Sequence, residues 1–314
     1  MNSSPHILIA SPRLEKLARR VVSSCPAISL QNVDWLSFPD QWPNTSVRQA
    51  SDLERAHVTF LASLDVPSVA FEQLCTMVQL AKIPHLSYKI VLPYYAVGTM
   101  ERIDYIGQVP TAARLADFIS VVPPAGPGPI PLHIFDIHAL ATRDFFGANI
   151  VPVFRSGVKM LRDCYAGQDI SIVFPDDGAR KRFETMFRVD ENDPGKGHVF
   201  PLVVCEKKRD GAARKVRIVS GEAKGRRCVV IDDIAHSGGT QLKCIEALRE
   251  AGASEISAYV THPVFDDGSE EGFMDLGLKE FVIGDTVPKA YELDGKGPFR
   301  VLSIAPKLVE SIMK

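Results

Sequence analysis

Short apolar runs alternate with amphipathic stretches along the whole chain, and this pattern limits the fold more than any other feature. Residues 6–10, 57–62, 88–92, 132–137, 170–174, 199–205, 227–231 and 256–261 read as strands. Residues 14–22, 69–81, 111–120, 157–164, 178–187 and 240–251 carry a helical period between them. Strands that are apolar throughout are buried on both faces. That requires crossover helices and a mostly parallel sheet, an α/β fold. A length of 314 residues suggests two domains. The Pro-rich run Pro123-Pro-Ala-Gly-Pro-Gly-Pro-Ile-Pro131 stops a helix and feeds the next strand, so it reads as a loop inside the first domain. The expected boundaries are 1–150 and 151–304, with a closing helix at 305–314. No convincing sequence repeat is visible.

Bulk properties exclude several classes of function. A formal net charge of −2 gives no global attraction to nucleic acid or to a membrane surface. No apolar stretch is long enough to span a bilayer. The start of the chain lacks a basic leader and a signal-peptide core, so no targeting segment is expected. The six cysteines are scattered without a C-x-x-C pair, which suits reduced thiols and a cytoplasmic setting.

The most informative segment is Val229-Val-Ile-Asp-Asp-Ile-Ala-His-Ser-Gly-Gly-Thr240. An apolar strand ends in the carboxylates Asp232 and Asp233. A loop with paired glycines follows, and a helix starts near Thr240. His236, Ser237, Gly238, Gly239 and Thr240 can fold backbone N–H groups and hydroxyls around a phosphate at a helix N-terminus. The two acids lie one short loop away, within reach of a sugar diol. An ordinary strand–helix junction could carry capping acids and turn glycines, but two acids followed by Ser-Gly-Gly-Thr is a far more specific combination.

These residues resemble the phosphoribosyl-pyrophosphate (PRPP) signature shared by phosphoribosyltransferases and PRPP synthetases. The resemblance implies two phosphoribosyltransferase-like (Rossmann-like) domains, each a mostly parallel sheet flanked by helices. Phe135-Asp-Ile-His138 and Phe174-Pro-Asp-Asp-Gly178 resemble the PRPP synthetase segments that assist Mg²⁺–ATP binding, with His138 and Asp176 at the matching positions. Taken alone, a strand-terminal Asp-x-His is more often a structural pair. Cys205-Glu-Lys-Lys-Arg-Asp-Gly-Ala-Ala-Arg-Lys-Val-Arg217 could be a solvated charged hairpin, but it matches the family's mobile catalytic loop, with Lys207 and Arg209 as the catalytic cations.

On the nucleotide side, Phe38-Pro-Asp-Gln-Trp-Pro-Asn44 resembles the loop that holds adenine. Phe38 would stack on the base, with Asp40 and Asn44 as polar contacts. Gly98, Thr99, Glu101 and Arg102 resemble a second ATP loop, and His138 joins them. Gly-Thr-Met-Glu-Arg replaces the family's common Ala-Arg-Gln-Asp, and His236 replaces the usual Asp of the phosphate loop. These departures look like plant-type class II PRPP synthetases. The resemblance then implies Mg²⁺ as cofactor, ATP and ribose 5-phosphate as substrates, and a homo-oligomer. It also implies lower dependence on free phosphate, weaker ADP sensitivity and use of several nucleoside triphosphates. A phosphoribosyltransferase and a non-catalytic synthetase-associated subunit are the alternatives. The second should carry lesions at the metal or catalytic positions, and none is seen.

Overall fold

A computed structural model describes residues 4–187, 200–210 and 213–314, with side chains at 207–215 outside the description. The chain divides into two compact units. The first comprises residues 1–156 with 303–314, and the second comprises residues 157–302.

The first unit begins with β1 (His6–Ala10), α1 (Glu15–Ser24) and β2 (Ile28–Leu30), then an antiparallel hairpin of β3 (Val33–Ser37) and β4 (Pro43–Val47). It continues through β5 (His57–Leu61), α2 (Pro67–Lys82), β6 (Ser87–Leu92), α3 (Thr111–Ser120), β7 (Ile130–Phe135) and β8 (Ile150–Arg155). The strands form a parallel sheet in the order β2-β1-β5-β6-β7-β8.

The second unit comprises α4 (Val158–Cys164), β9 (Ser171–Phe174), α5 (Asp177–Phe187), β10 (Leu202–Asp210), β11 (Ala213–Ser220) and β12 (Arg227–Ala235). After these come α6 (Gly239–Glu250), β13 (Glu255–Pro263), β14 (Phe281–Gly284), α7 (Lys289–Leu293) and β15 (Phe299–Leu302). Its sheet order is β11-β10-β9-β12-β13-β14-β15, parallel except for β11. The last helix, α8 (Ala305–Met313), returns to the first unit.

Each sheet is buried on both faces, as its continuous apolar strands require. In the first unit, Leu14, Leu17, Ala18 and Val21 form one helical stripe and pack with Leu308 and Ile312 of α8. The other face of the sheet holds Ile9, Phe60, Ile90, Leu92 and Ile134 against Met77 and Leu80 of α2. In the second unit, Cys244, Ile245 and Leu248 of α6 pack on Val230, Ala258 and Ile283. Phe183 and Phe187 of α5 pack on the opposite face with Ile172 and Ile231. Among the described residues no helix is long and apolar enough to cross a membrane.

The structure corrects the expected boundaries. The first unit runs to residue 156, because β8 pairs with β7 along its whole length and cannot leave that sheet. The closing helix is part of the first unit's core, where burying Leu308 and Ile312 is worth about 1.5–3 kcal/mol each.

Candidate active site

In the second unit, β9 leads through α5 to β10 on one side, while β12 leads through α6 to β13 on the other. The winding therefore reverses between β9 and β12. A crevice opens at the carboxyl ends of the strands where an α/β sheet reverses. Asp176 follows β9 directly, and Asp232 and Asp233 lie near the end of β12.

The acid pair is held from two sides. Nη2 of Arg182, on α5, donates to Asp233 Oδ1 at 2.5 Å and to Asp232 Oδ1 at 3.2 Å. Gln241 Nε2, on α6, donates to Asp232 Oδ2 and to the Ile234 carbonyl, each at 3.0 Å. The Asp233 backbone N–H donates to Asp232 Oδ1 at 3.0 Å. Both acids are buried, Asp232 at 7% exposure and Asp233 at 1%. Burial, followed by the charge of Asp233, pushes the Asp232 carboxyl well above its usual range, and Arg182 opposes that shift. The charge of Asp176 also acts on Asp232. Asp176 itself caps α5, its Oδ1 accepting the Ala179 N–H at 3.0 Å.

The phosphate-type loop follows. Gly238 has φ +68°, a conformation that favours glycine, and a Cβ there would lie 2.5 Å from the Phe273 ring. Ser237 Oγ accepts the Gly239 N–H at 3.4 Å, and α6 starts at Gly239 with Thr240 in its first turn. Residues 264–273 buttress the loop from outside. Phe265 N–H donates to the Ala235 carbonyl at 2.8 Å, and Asp266 N–H to the His236 carbonyl at 3.1 Å. Ser269 Oγ donates to that same carbonyl at 2.8 Å. His236 Nδ1 stands 3.7 Å from Asp266 Oδ1, so the loop imidazole faces a carboxylate.

Lys207 and Arg209 lie in β10, where they pair with Val216 and Arg214 of β11. The expected loop is thus a hairpin arm in its backbone, and the two side chains lie outside the described residues.

In the first unit, the residues expected to hold ATP are carried by separate elements. Phe38 and Asp40 form the tip of the β3–β4 hairpin, where the Phe38 N–H donates to the Trp42 carbonyl at 2.8 Å. Asp40 Oδ1 accepts the Trp42 N–H at 3.4 Å. Asn44 pairs with Leu36 in β4. Gly98 follows β6, and a Cβ on it would come 3.1 Å from the Tyr95 carbonyl oxygen and 3.7 Å from His138 Cβ. The structure therefore brings the Gly98 loop and His138 together. Thr99 is exposed, and Glu101 pairs with Arg102 at 3.0 Å.

The sequence reading missed Arg182, Gln241 and Phe273. A signal for Arg182 existed. Ala179, Phe183 and Phe187 form the buried stripe of α5, and Arg182 falls beside Ala179 and Phe183 within it. A cation in an apolar stripe needs a buried carboxylate partner.

A model of the phosphoribosyl transferase domain matches residues 161–286, which span the acid pair and its loop. The chain is 38% identical over 317 residues to ribose-phosphate pyrophosphokinase 3, mitochondrial, of Spinacia oleracea, covering 97% of this chain and 76% of that one. It is also 38% identical over 310 residues to ribose-phosphate pyrophosphokinase 4 of Oryza sativa subsp. japonica, covering 95% and 92%. The chain belongs to the ribose-phosphate pyrophosphokinase family. Both of these pyrophosphokinase relatives come from plants, in line with the plant-type loops. The crystal structure of phosphoribosylpyrophosphate synthetase from Mycobacterium smegmatis shares the fold, with TM-score 0.77 at 22% identity over 98% of this chain and 97% of that one.

Proposed function

We propose that this pyrophosphokinase-family chain transfers the β,γ-diphosphate of ATP to O1 of ribose 5-phosphate, giving PRPP and AMP. One observation carries the reading: a buried acid pair and a Gly238–Gly239 loop share the crevice between β9 and β12. The loop N–H groups, Ser237 and Thr240 take the 5-phosphate, with the positive end of α6 behind them. Asp232 and Asp233 accept hydrogen bonds from the ribose hydroxyls. Phe38, Asp40 and Asn44 hold the base of ATP. Gly98, Thr99, Glu101, Arg102 and His138 hold its phosphates and sugar.

The sugar O1 gives up its proton to water and forms a bond to the β-phosphorus, the bond from that phosphorus to the α–β bridging oxygen breaks, and AMP leaves. Lys207 and Arg209 neutralise charge on the transferring diphosphate. Positioning and charge neutralisation supply most of the rate in such transfers.

Mg²⁺ belongs to the same reading. The family resemblance assigns Asp176 and His138 to it, one on each unit. A carboxylate such as Asp176 suits an ion that takes few protein ligands and completes its shell with water and phosphate oxygens. When bound, Mg²⁺ offsets phosphate charge. The six free cysteines support a reducing compartment such as the cytoplasm. A homo-oligomer is part of the proposal, and light scattering would read its mass.

The test is AMP formation from ATP and Mg²⁺, with and without ribose 5-phosphate and with and without inorganic phosphate. AMP made only when the sugar is present is the expected result. Activity without added phosphate would support the class II character. A folded sample that makes no AMP under any condition would refute the proposal in favour of a non-catalytic subunit or a transferase.

A further inference from the structure

We infer that Arg182 is a positioning residue for sugar binding, holding Asp232 and Asp233 in the orientation that receives the ribose diol. The inference rests on the reading of that acid pair as the ribose site.

Two adjacent carboxylates at the end of one strand repel each other, and both are shielded from water here. Arg182 supplies the opposing charge, and its Nη2 bonds Oδ1 of each. Its side chain is only 12% exposed, so water screens this contact weakly.

The guanidinium is itself fixed. Its carbon lies 5.6 Å from the centre of the Phe183 ring, which restrains the plane by cation–π contact. Gly178 keeps the approach open. A Cβ on it would stand 3.3 Å from Arg182 Nη1 and 3.2 Å from Asp176 Oδ1. A larger residue at 178 would therefore crowd the guanidinium that holds Asp232 and Asp233.

The bond pattern leaves room for a ligand. Arg182 occupies the Oδ1 atoms, and Gln241 donates to Asp232 Oδ2. A carboxyl group carries about four lone pairs, so the contacts named above do not use up those of Asp232. Without Arg182, the repulsion between the two acids would be unopposed, and their oxygens would no longer match a cis-diol. The consequence should fall on ribose 5-phosphate and leave ATP binding alone.

The test uses Arg182→Lys, Arg182→Gln and Asp232→Asn in the full chain, with KM for each substrate, kcat and Tm. Lysine keeps the charge but loses the planar fork, so Arg182→Lys should raise KM for ribose 5-phosphate ~10-fold with KM for ATP and kcat within ~2-fold. Arg182→Gln should raise the same KM ~100-fold. If the glutamine variant does not fold, the lysine variant carries the test. An unchanged KM for ribose 5-phosphate in a folded Arg182→Lys, or equal losses for both substrates, overturns the inference. Asp232→Asn separates the two levels. If it raises that KM while the Arg182 variants do not, only the role of Arg182 fails. If it leaves KM unchanged, the ribose site lies elsewhere and both readings fall.

Discussion

The two units share one winding, and they differ sharply at the crevice where that winding reverses. The order β2-β1-β5-β6-β7-β8 in the first unit matches β10-β9-β12-β13-β14-β15 in the second. In the first unit the reversal falls between β1 and β5. There Arg13 Nε donates to Asp65 Oδ1 at 2.6 Å, and Ser63 Oγ donates to the same oxygen at 2.6 Å. The helix that follows starts at Pro67, which has no N–H to offer a phosphate. In the second unit the matching helix starts behind Gly238 and Gly239, and the matching cation bridges two acids. The same fold thus carries a glycine loop with a buried acid pair at the reversal in one unit and a single ion pair there in the other. A fold supplies a place for a ligand, and only the residues at the reversal decide whether one can bind.

The largest expected effect tests where the chemistry sits. Lys207→Ala should lower kcat at least ~100-fold with ATP binding nearly intact, because the cation acts on the transition state. A weakened Kd for ATP with kcat preserved would remove Lys207 from that role. A control in the first unit, Arg13→Ala, should cost about 1–3 kcal/mol of stability by leaving the Asp65 carboxylate with Ser63 but without its cationic partner. It should leave KM for ribose 5-phosphate unchanged, and a shift in that constant would mean the first crevice is also used.

The next effect concerns the cradle itself. Gly238→Ala forces a side chain into a left-handed backbone and against the Phe273 ring. We expect KM for ribose 5-phosphate to rise ~30-fold, combining backbone strain with displacement of the N–H groups. Wild-type KM in that variant would show that the loop does not bind the phosphate.

Much of this was legible in the sequence, and the exceptions have physical causes. The apolar strands and the acid-pair loop stood out because their residue types serve one purpose each. The edge strand β8 escaped notice because Pro152 interrupts its apolar run, and at an edge the missing N–H is tolerated. The β3–β4 hairpin was missed because one arm mixes polar and apolar residues and the other, Pro43–Val47, is mostly polar. The repeated winding was invisible since topology can persist where side chains diverge. Arg182 was hidden because its partners lie 50 residues or more along the chain.

A third test separates buried charge that serves a site from buried charge that does not. In the second unit the buried ionisable cluster lines the crevice. In the first unit, His133 sits inside β7 and accepts from Arg155 Nε at 3.4 Å. Burial, then the charges of Arg155 and Lys89, lowers its pKa to about 4. The unfolded chain takes up this proton near pH 6.5, and the folded chain does so only near 4. Stability from this group is therefore full above pH 6.5 and is lost as pH falls towards 4. His133→Gln should flatten that acid limb by about 1–2 kcal/mol, read as the difference in melting between pH 7 and pH 5. His6 and His85, also lowered by burial, should leave a residual slope. An unaltered pH difference would place the acid sensitivity outside this cluster.

The smallest effect returns to the first unit's own contribution. Phe38 is 50% exposed at the hairpin tip, with Leu36 and Trp42 of the same hairpin also exposed, so its ring is open to a flat ligand. Its neighbours do not fill that gap: Trp42 turns instead to Phe71 of α2, with ring centroids 5.2 Å apart. An adenine ring would cover Phe38 by stacking, a contact worth about 0.5–1.5 kcal/mol beyond the area it buries. Phe38→Leu keeps an apolar side chain but removes the flat face. KM for ATP should then rise ~3–10-fold with KM for ribose 5-phosphate unchanged, since the two substrates are assigned to different units. If KM for ATP does not move, the base is held elsewhere. If KM for the sugar moves instead, the hairpin serves the second crevice, and the division of labour between the units would have to be redrawn.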